Sequence, residues 1–171
     1  MNMDNKRISP WCTAKTLVLG CGNILFGDDG FGPAVAGYLN NNYRIPDGVL
    51  IEDAGTGIRE MLFDISLSEI YPSTLVIVDC MDKGRKPGEY FEIELTDVPK
   101  EKIDNFTMHN APTTNLLRTI QEEKKDIKVS IMVCQSKLIP DEMQMELSDE
   151  VDAAVPKMAQ LIYDCFISTA Q

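Results

Sequence analysis

Five side chains in this 171-residue sequence could do chemistry together: Asp28, Asp29, Asp53, Asp79 and the single histidine, His109. Asp28 and Asp29 lie in "GNILFGDDGFGPAVA" (22–36), directly after the apolar run "TLVLGC" (16–21). Asp53 follows the apolar residues of "GVLIEDAGT" (48–56), and Asp79 ends the apolar part of "TLVIVDC" (74–80). Carboxylates gathered in one crevice repel one another unless a cation, a proton or a basic ligand sits among them. An imidazole joined to two carboxylates suits a borderline divalent metal such as zinc or nickel better than calcium or magnesium. So few protein ligands would leave positions open for water or substrate. The plainer alternative is that each aspartate is a turn or helix-capping residue and that His109, in the polar stretch "NFTMHNAPTT", is simply solvated.

Whether the acids meet depends on the elements that carry them. "TLVLGC" and "TLVIVDC" are continuous apolar runs, the pattern of strands covered on both faces. "FGPAVAGYLNNNY" places Val35, Tyr38 and Leu39 at helical spacing, with Pro33 in a first turn. "IREMLFDISL" sets Ile58, Met61, Leu62 and Ile65 on one helical face. "GEYFEIEL" (88–95) alternates as a strand with one wetter face, after the turn "DKGRKPG". "TTNLLRTIQEEKK" reads as a helix, "IKVSIMVC" (127–134) as a fifth strand, and "SDEVDAAVPKMAQLIYDCFIS" as a long amphipathic helix. In that last helix Ser148 is the expected N-cap, and Pro156 should kink the helix or mark its effective start. Strands alternating with helices predict a three-layer α/β/α sandwich on a mostly parallel, roughly five-stranded sheet. In such sheets sites lie beyond the carboxyl ends of the strands. If the first three strands are neighbours, Asp29, Asp53 and Asp79 converge on one rim.

Composition narrows the function. The net charge is −11, which disfavours nucleic acid and anionic membrane, since both need positive charge on the protein. No run reaches the roughly 20 apolar residues of a membrane span. The five cysteines are odd in number and form no CxxC pair, so buried thiols in a reducing cytoplasm are expected rather than a zinc site or disulfides. Residues 1–14 read as a flexible tail, and residues 15–171 as a single domain. The glycine loop fails the dinucleotide fingerprint, because the third glycine should fall at Leu25, and no P-loop "GK[ST]" occurs.

The stretch "LVLGCGNILFGDDGFGPAVAGYL" closely resembles the opening of the [NiFe]-hydrogenase maturation endopeptidases. In these an apolar strand runs into G-N-x-L, an acidic pair and G-x-G at a helix start. "IEDAGTGI" resembles their second motif, "LVIVDC" their strand-terminal aspartate, "MHN" their histidine segment and "DAAVPKMAQLI" their closing helix. The likeness runs in order from about Thr16 to the C-terminus. It implies a phosphorylase/hydrolase-like α/β/α fold and a cytoplasmic protease. Its activity would be to remove the C-terminal extension of a hydrogenase large-subunit precursor after nickel insertion.

The resemblance also implies roles for residues. Asp29, Asp79 and His109 would bind the metal, which is nickel supplied by the substrate, with zinc or cadmium able to substitute in vitro. Asp29 or Asp53 would act as catalytic carboxylate, while Asn23, Asp53, Gly55 and Thr56 would meet the substrate. Asp28 would brace the loop through backbone hydrogen bonds or cap the next helix. Ala54 stands where the family has glycine, which would leave that turn less free. The "GDDGFG" variant resembles the branch serving deazaflavin-reducing hydrogenases of methanogens. Two other functions fit the same elements: a nucleotide-binding α/β module, and a non-catalytic chaperone of the immature large subunit.

Overall fold

The computed structural model describes residues 8–97 and 111–168. The apolar runs form the sheet: β1 (Thr16–Cys21), β2 (Val49–Gly55), β3 (Thr74–Met81), β4 (Tyr90–Ile93) and β5 (Lys128–Gln135). Their order is β2-β1-β3-β5-β4. β1 pairs in parallel with β2 and β3, and β3 with β5, whereas β4 joins the edge antiparallel. Every residue of β1 is buried, and so is all of β3 after Thr74. That burial on both faces explains why these two strands read as unbroken apolar runs.

Alternate residues feed two separate cores. Leu17, Leu19, Leu75 and Ile77 face α3 (Ile58–Leu67) and α4 (Ala111–Glu123), packing with Leu62, Ile65, Leu117 and Ile120. Val18, Val76 and Val78 face α2 (Phe31–Asn42) and α6 (Val155–Ile162), packing with Phe31, Val35, Leu39, Met158 and Ile162. The result is the expected three-layer sandwich. α3 falls on the predicted residues because its apolar positions recur at helical spacing between two turns. Among the described residues no helix is long and apolar enough to cross a membrane.

One expectation needs correction and another is met. Within the expected tail, Pro10–Thr13 form a helical turn, α1, whose Cys12 is buried in the α3 core. Ser9 Oγ also donates to Asp64 at 2.8 Å, so packing begins before residue 15. In the closing helix Pro156 marks the effective start, as expected: α5 (Asp149–Asp152) stops, α6 starts afresh with Pro156 in its first turn, and a π-helical turn follows over Tyr163–Ile167. Proline has no amide to donate, so the preceding turn cannot carry its hydrogen bonds through it. Ser148 precedes α5 but makes no side-chain cap, because its hydroxyl is used elsewhere.

Candidate active site

The order β2-β1-β3 makes the three acid-bearing strands neighbours, with Gly20 of β1 level with Asp53 on one side and Val78 on the other. Asp79 follows Val78 and is 3 % exposed. Its Oδ1 accepts the amide of Cys80 at 2.7 Å. Asp29 is 2 % exposed and lies in the 3₁₀ turn Gly27–Gly30 between β1 and α2. Asn23 bridges the return of this loop: its amide donates to Asp29 Oδ2 at 2.9 Å, and its own Oδ1 accepts the Leu25 amide at 3.0 Å. Gly22 permits the turn. Its φ is 126°, and a Cβ there would overlap the Asp29 carbonyl oxygen. An alanine would therefore push the acid out of place.

Asp53 is exposed at the end of β2. Its Oδ1 accepts the Gly55 amide at 2.9 Å, an Asx turn that sends the chain toward α3. The Gly22 amide donates to Gly55 O at 3.1 Å, which ties the two acidic loops together. The left-handed residue in this turn is Gly55, with φ 49°. Ala54 is still part of strand β2, so its Cβ does not restrict the turn. Thr56 is exposed beside it.

One buried thiol reports how closely the acids gather. Burial pushes Cys21 well above the ordinary thiol range, and the charges of Asp79, Asp53 and Asp29 push it the same way. The rim therefore concentrates negative potential at the end of β1, as the strand order predicted. Among the described residues no group of three or more His, Cys, Asp or Glu side chains is placed to hold a metal ion. His109 lies outside the described residues.

Asp28 has a different task. It is 1 % exposed, and among the described residues its hydrogen-bond partners lie in the segment between β5 and α5. Oδ2 accepts the amides of Lys137 at 2.7 Å and Leu138 at 3.0 Å, and the Ser148 hydroxyl at 3.0 Å. Oδ1 accepts the Ser148 amide at 2.7 Å. The expected bracing role is therefore present, but it spans more than 100 residues of sequence rather than capping α2. Residues 137–148 form a strap along the loop, held also by the Gln144 amide on Leu25 O at 2.9 Å and a parallel bridge between Phe26 and Gln144.

Sequence reasoning missed this strap, and it missed Gln135. That side chain is 3 % exposed at the end of β5. Its Oε1 accepts the amides of Lys83 and Arg85, and its Nε2 donates to Asp82 Oδ1 and Ser136 O. It thereby fixes the loop that follows Asp79. A glutamine closing an otherwise apolar strand run was the available signal.

Comparison with known proteins identifies the family. Residues 33–165 match the hydrogenase maturation protease family. The chain is 35 % identical over 155 residues to coenzyme F420 hydrogenase subunit delta of Methanothermobacter thermautotrophicus, covering 88 % of this chain and 94 % of that one. Its fold matches the hydrogenase maturating endopeptidase HybD from Escherichia coli, with a TM-score of 0.68, 24 % identity and 88 % and 90 % of the two chains covered. It also matches the solution structure of the endopeptidase HycI from Escherichia coli, with a TM-score of 0.65, 28 % identity and 85 % and 87 % covered. A family match across most of the chain, on a fold whose strand ends carry the expected acids, means that this protein belongs to the hydrogenase maturation proteases.

Proposed function

We propose that the protein cleaves the C-terminal extension from a [NiFe]-hydrogenase large-subunit precursor and recognises the nickel already carried by that client. The observation that carries this reading is a pair of buried carboxylates on adjacent parts of one sheet rim, Asp29 in the turn after β1 and Asp79 near the end of β3, with Asp53 exposed on the neighbouring strand β2. Carboxylate oxygens can complete the coordination of a divalent metal held by other ligands, and a partial shell on the enzyme suits a metal that arrives with the substrate. His109 is the third ligand in this scheme. In the sequence it stands two residues before Ala111, where α4 begins. The similarity to coenzyme F420 hydrogenase subunit delta favours a coenzyme F420 (deazaflavin-reducing) hydrogenase as the client.

Of the two carboxylates considered as general base, Asp53 is the better placed. Asp29 is buried and anchored to Asn23, whereas Asp53 stands at the mouth with Oδ1 on Gly55. Asp53 would take a proton from the attacking water as its oxygen adds to the scissile carbonyl. Collapse of the intermediate breaks the C–N bond, and the leaving amine takes up the proton. Asn23, Gly55 and Thr56 line the loops on either side of this point and would orient the peptide.

The test is to incubate the protein with nickel-loaded and nickel-free precursor and to follow the extension by mass. Cleavage of the loaded form alone is expected. Failure to cleave the loaded form would refute the proteolytic assignment for this client, and equal cleavage of both would refute nickel recognition.

A further inference from the structure

We infer that the strap over residues 137–148 is a strand edge that pairs with an extended peptide segment of the client, one carrying apolar and basic side chains. The inference rests on the protease reading and specifies how its substrate is held. The Phe26–Gln144 bridge uses both backbone groups of Gln144: its amide donates to Leu25 O, and its carbonyl accepts the Gly27 amide. In an extended chain, neighbouring residues turn their backbone groups to opposite sides. The amides and carbonyls of Met143 and Met145 therefore point away from the loop. Among the described residues they make no backbone hydrogen bond. An unpaired edge of this kind is a template for an added strand.

The side chains agree with that use. Met143 and Met145 are 72 % and 66 % exposed, and Leu138 of the same strap and Ile24 of the loop are exposed as well. Flexible thioethers adapt to varied apolar partners. The strap itself, residues 137–148, carries three acids, Asp141, Glu142 and Glu146, and a single lysine, Lys137, whose charge is taken up by Glu150 at 2.8 Å. The complementary segment is therefore basic. Position ties the edge to the chemistry: Asp28 fastens the strap to the same 3₁₀ turn that holds Asp29. A peptide paired along Met143–Met145 is delivered next to the acidic rim.

Met145→Pro tests the pairing, because it removes the outward amide while leaving Gln144 in the extended conformation that proline favours for its predecessor. Met145→Ala keeps the amide and controls for the lost side chain. With nickel-loaded precursor, KM should rise about tenfold in Met145→Pro, clearly more than in Met145→Ala, with kcat unchanged. Independently of cleavage, adding precursor should slow hydrogen exchange at the Met143 and Met145 amides. Equal KM values for the two variants would overturn the inference, as would bound precursor that leaves both amides unprotected. Protection that appears without client and grows with protein concentration would overturn it in favour of pairing between two copies. Protection without cleavage would leave the edge standing and refute the protease reading.

Discussion

Replacing Asp28 with alanine should destabilise the protein strongly while leaving the acids at the strand ends chemically intact. In the native structure the Asp28 carboxylate accepts three backbone amides and one hydroxyl at 2.7–3.0 Å, in a site that is 1 % exposed. Hydrogen bonds to a charged acceptor contribute roughly 1.5–3 kcal/mol each, and a buried donor left unmade costs about 1–3 kcal/mol. The strap is peripheral and can lift to hydrate its amides, so the four bonds will not add in full. A loss of about 3–5 kcal/mol is expected, which for a domain of this size lowers Tm by roughly 6–20 °C. Asp28→Asn should cost less, about 2–3 kcal/mol. With its carbonyl at Oδ2 it keeps three of the four contacts, but its NH₂ group then faces the Ser148 amide. Urea unfolding gives the free energies, and limited proteolysis within 138–147 reports whether the strap has lifted. A loss below about 1 kcal/mol for Asp28→Ala, with the strap as resistant as in the wild type, would refute this account.

Four other outcomes follow. Asp29→Asn, Asp79→Asn and His109→Ala should each reduce precursor processing at least about a hundredfold while the thermal midpoint stays near that of the wild type; full activity in any of them removes that residue from the site. Gly22→Ala should lower stability by about 2 kcal/mol or more and impair processing, since it combines a left-handed φ with a clash against the Asp29 backbone; a neutral result would mean that the loop can be rebuilt. Of the five thiols only Cys165 is exposed, so an alkylating reagent at neutral pH should label one site in the folded protein, as counted by mass. Burial holds Cys134 up to about 12 and moves Cys21 and Cys80 in the same direction from an ordinary value near 9.0. A raised folded-state value means that their contribution is fully present below pH 9 and is lost as pH climbs toward and past 12. Denaturant midpoints that are flat across pH 9–11 would contradict it.

Much of the scaffold was legible because its signals are local. β1 and β3 are covered on both faces and so appear as apolar runs. α3 shows its buried face through Ile58, Leu62 and Ile65, and Pro156 announces the start of α6. The convergence of Asp29, Asp53 and Asp79 followed from one topological step, the adjacency of β2, β1 and β3. The strap was not legible. It has no helical or strand period, and its anchors are hydrogen bonds between residues over 100 positions apart, which leave no pattern in any short window. Ser148 shows how such bonds override a local preference: a residue suited to cap α5 instead gives its hydroxyl to Asp28.

The same long-range packing separates two adjacent residues of identical chemistry. Asp28 and Asp29 occupy a 3₁₀ turn, in which successive side chains are rotated by about 120°. One is therefore turned toward the strap and the other toward the return of Asn23 at the mouth of the sheet. Nothing in the dipeptide itself says which is which; the assignment comes from the register in which Gly22 and the Phe26–Gln144 bridge set the turn. A one-residue shift of that turn would exchange the two roles. Moving the acid pair by deleting or inserting one residue between Asn23 and Phe26 should therefore damage stability and processing together, whereas substituting either aspartate alone should damage mainly one of them. A single-residue insertion that spared both properties would show that the loop, rather than the turn, decides where each carboxylate points.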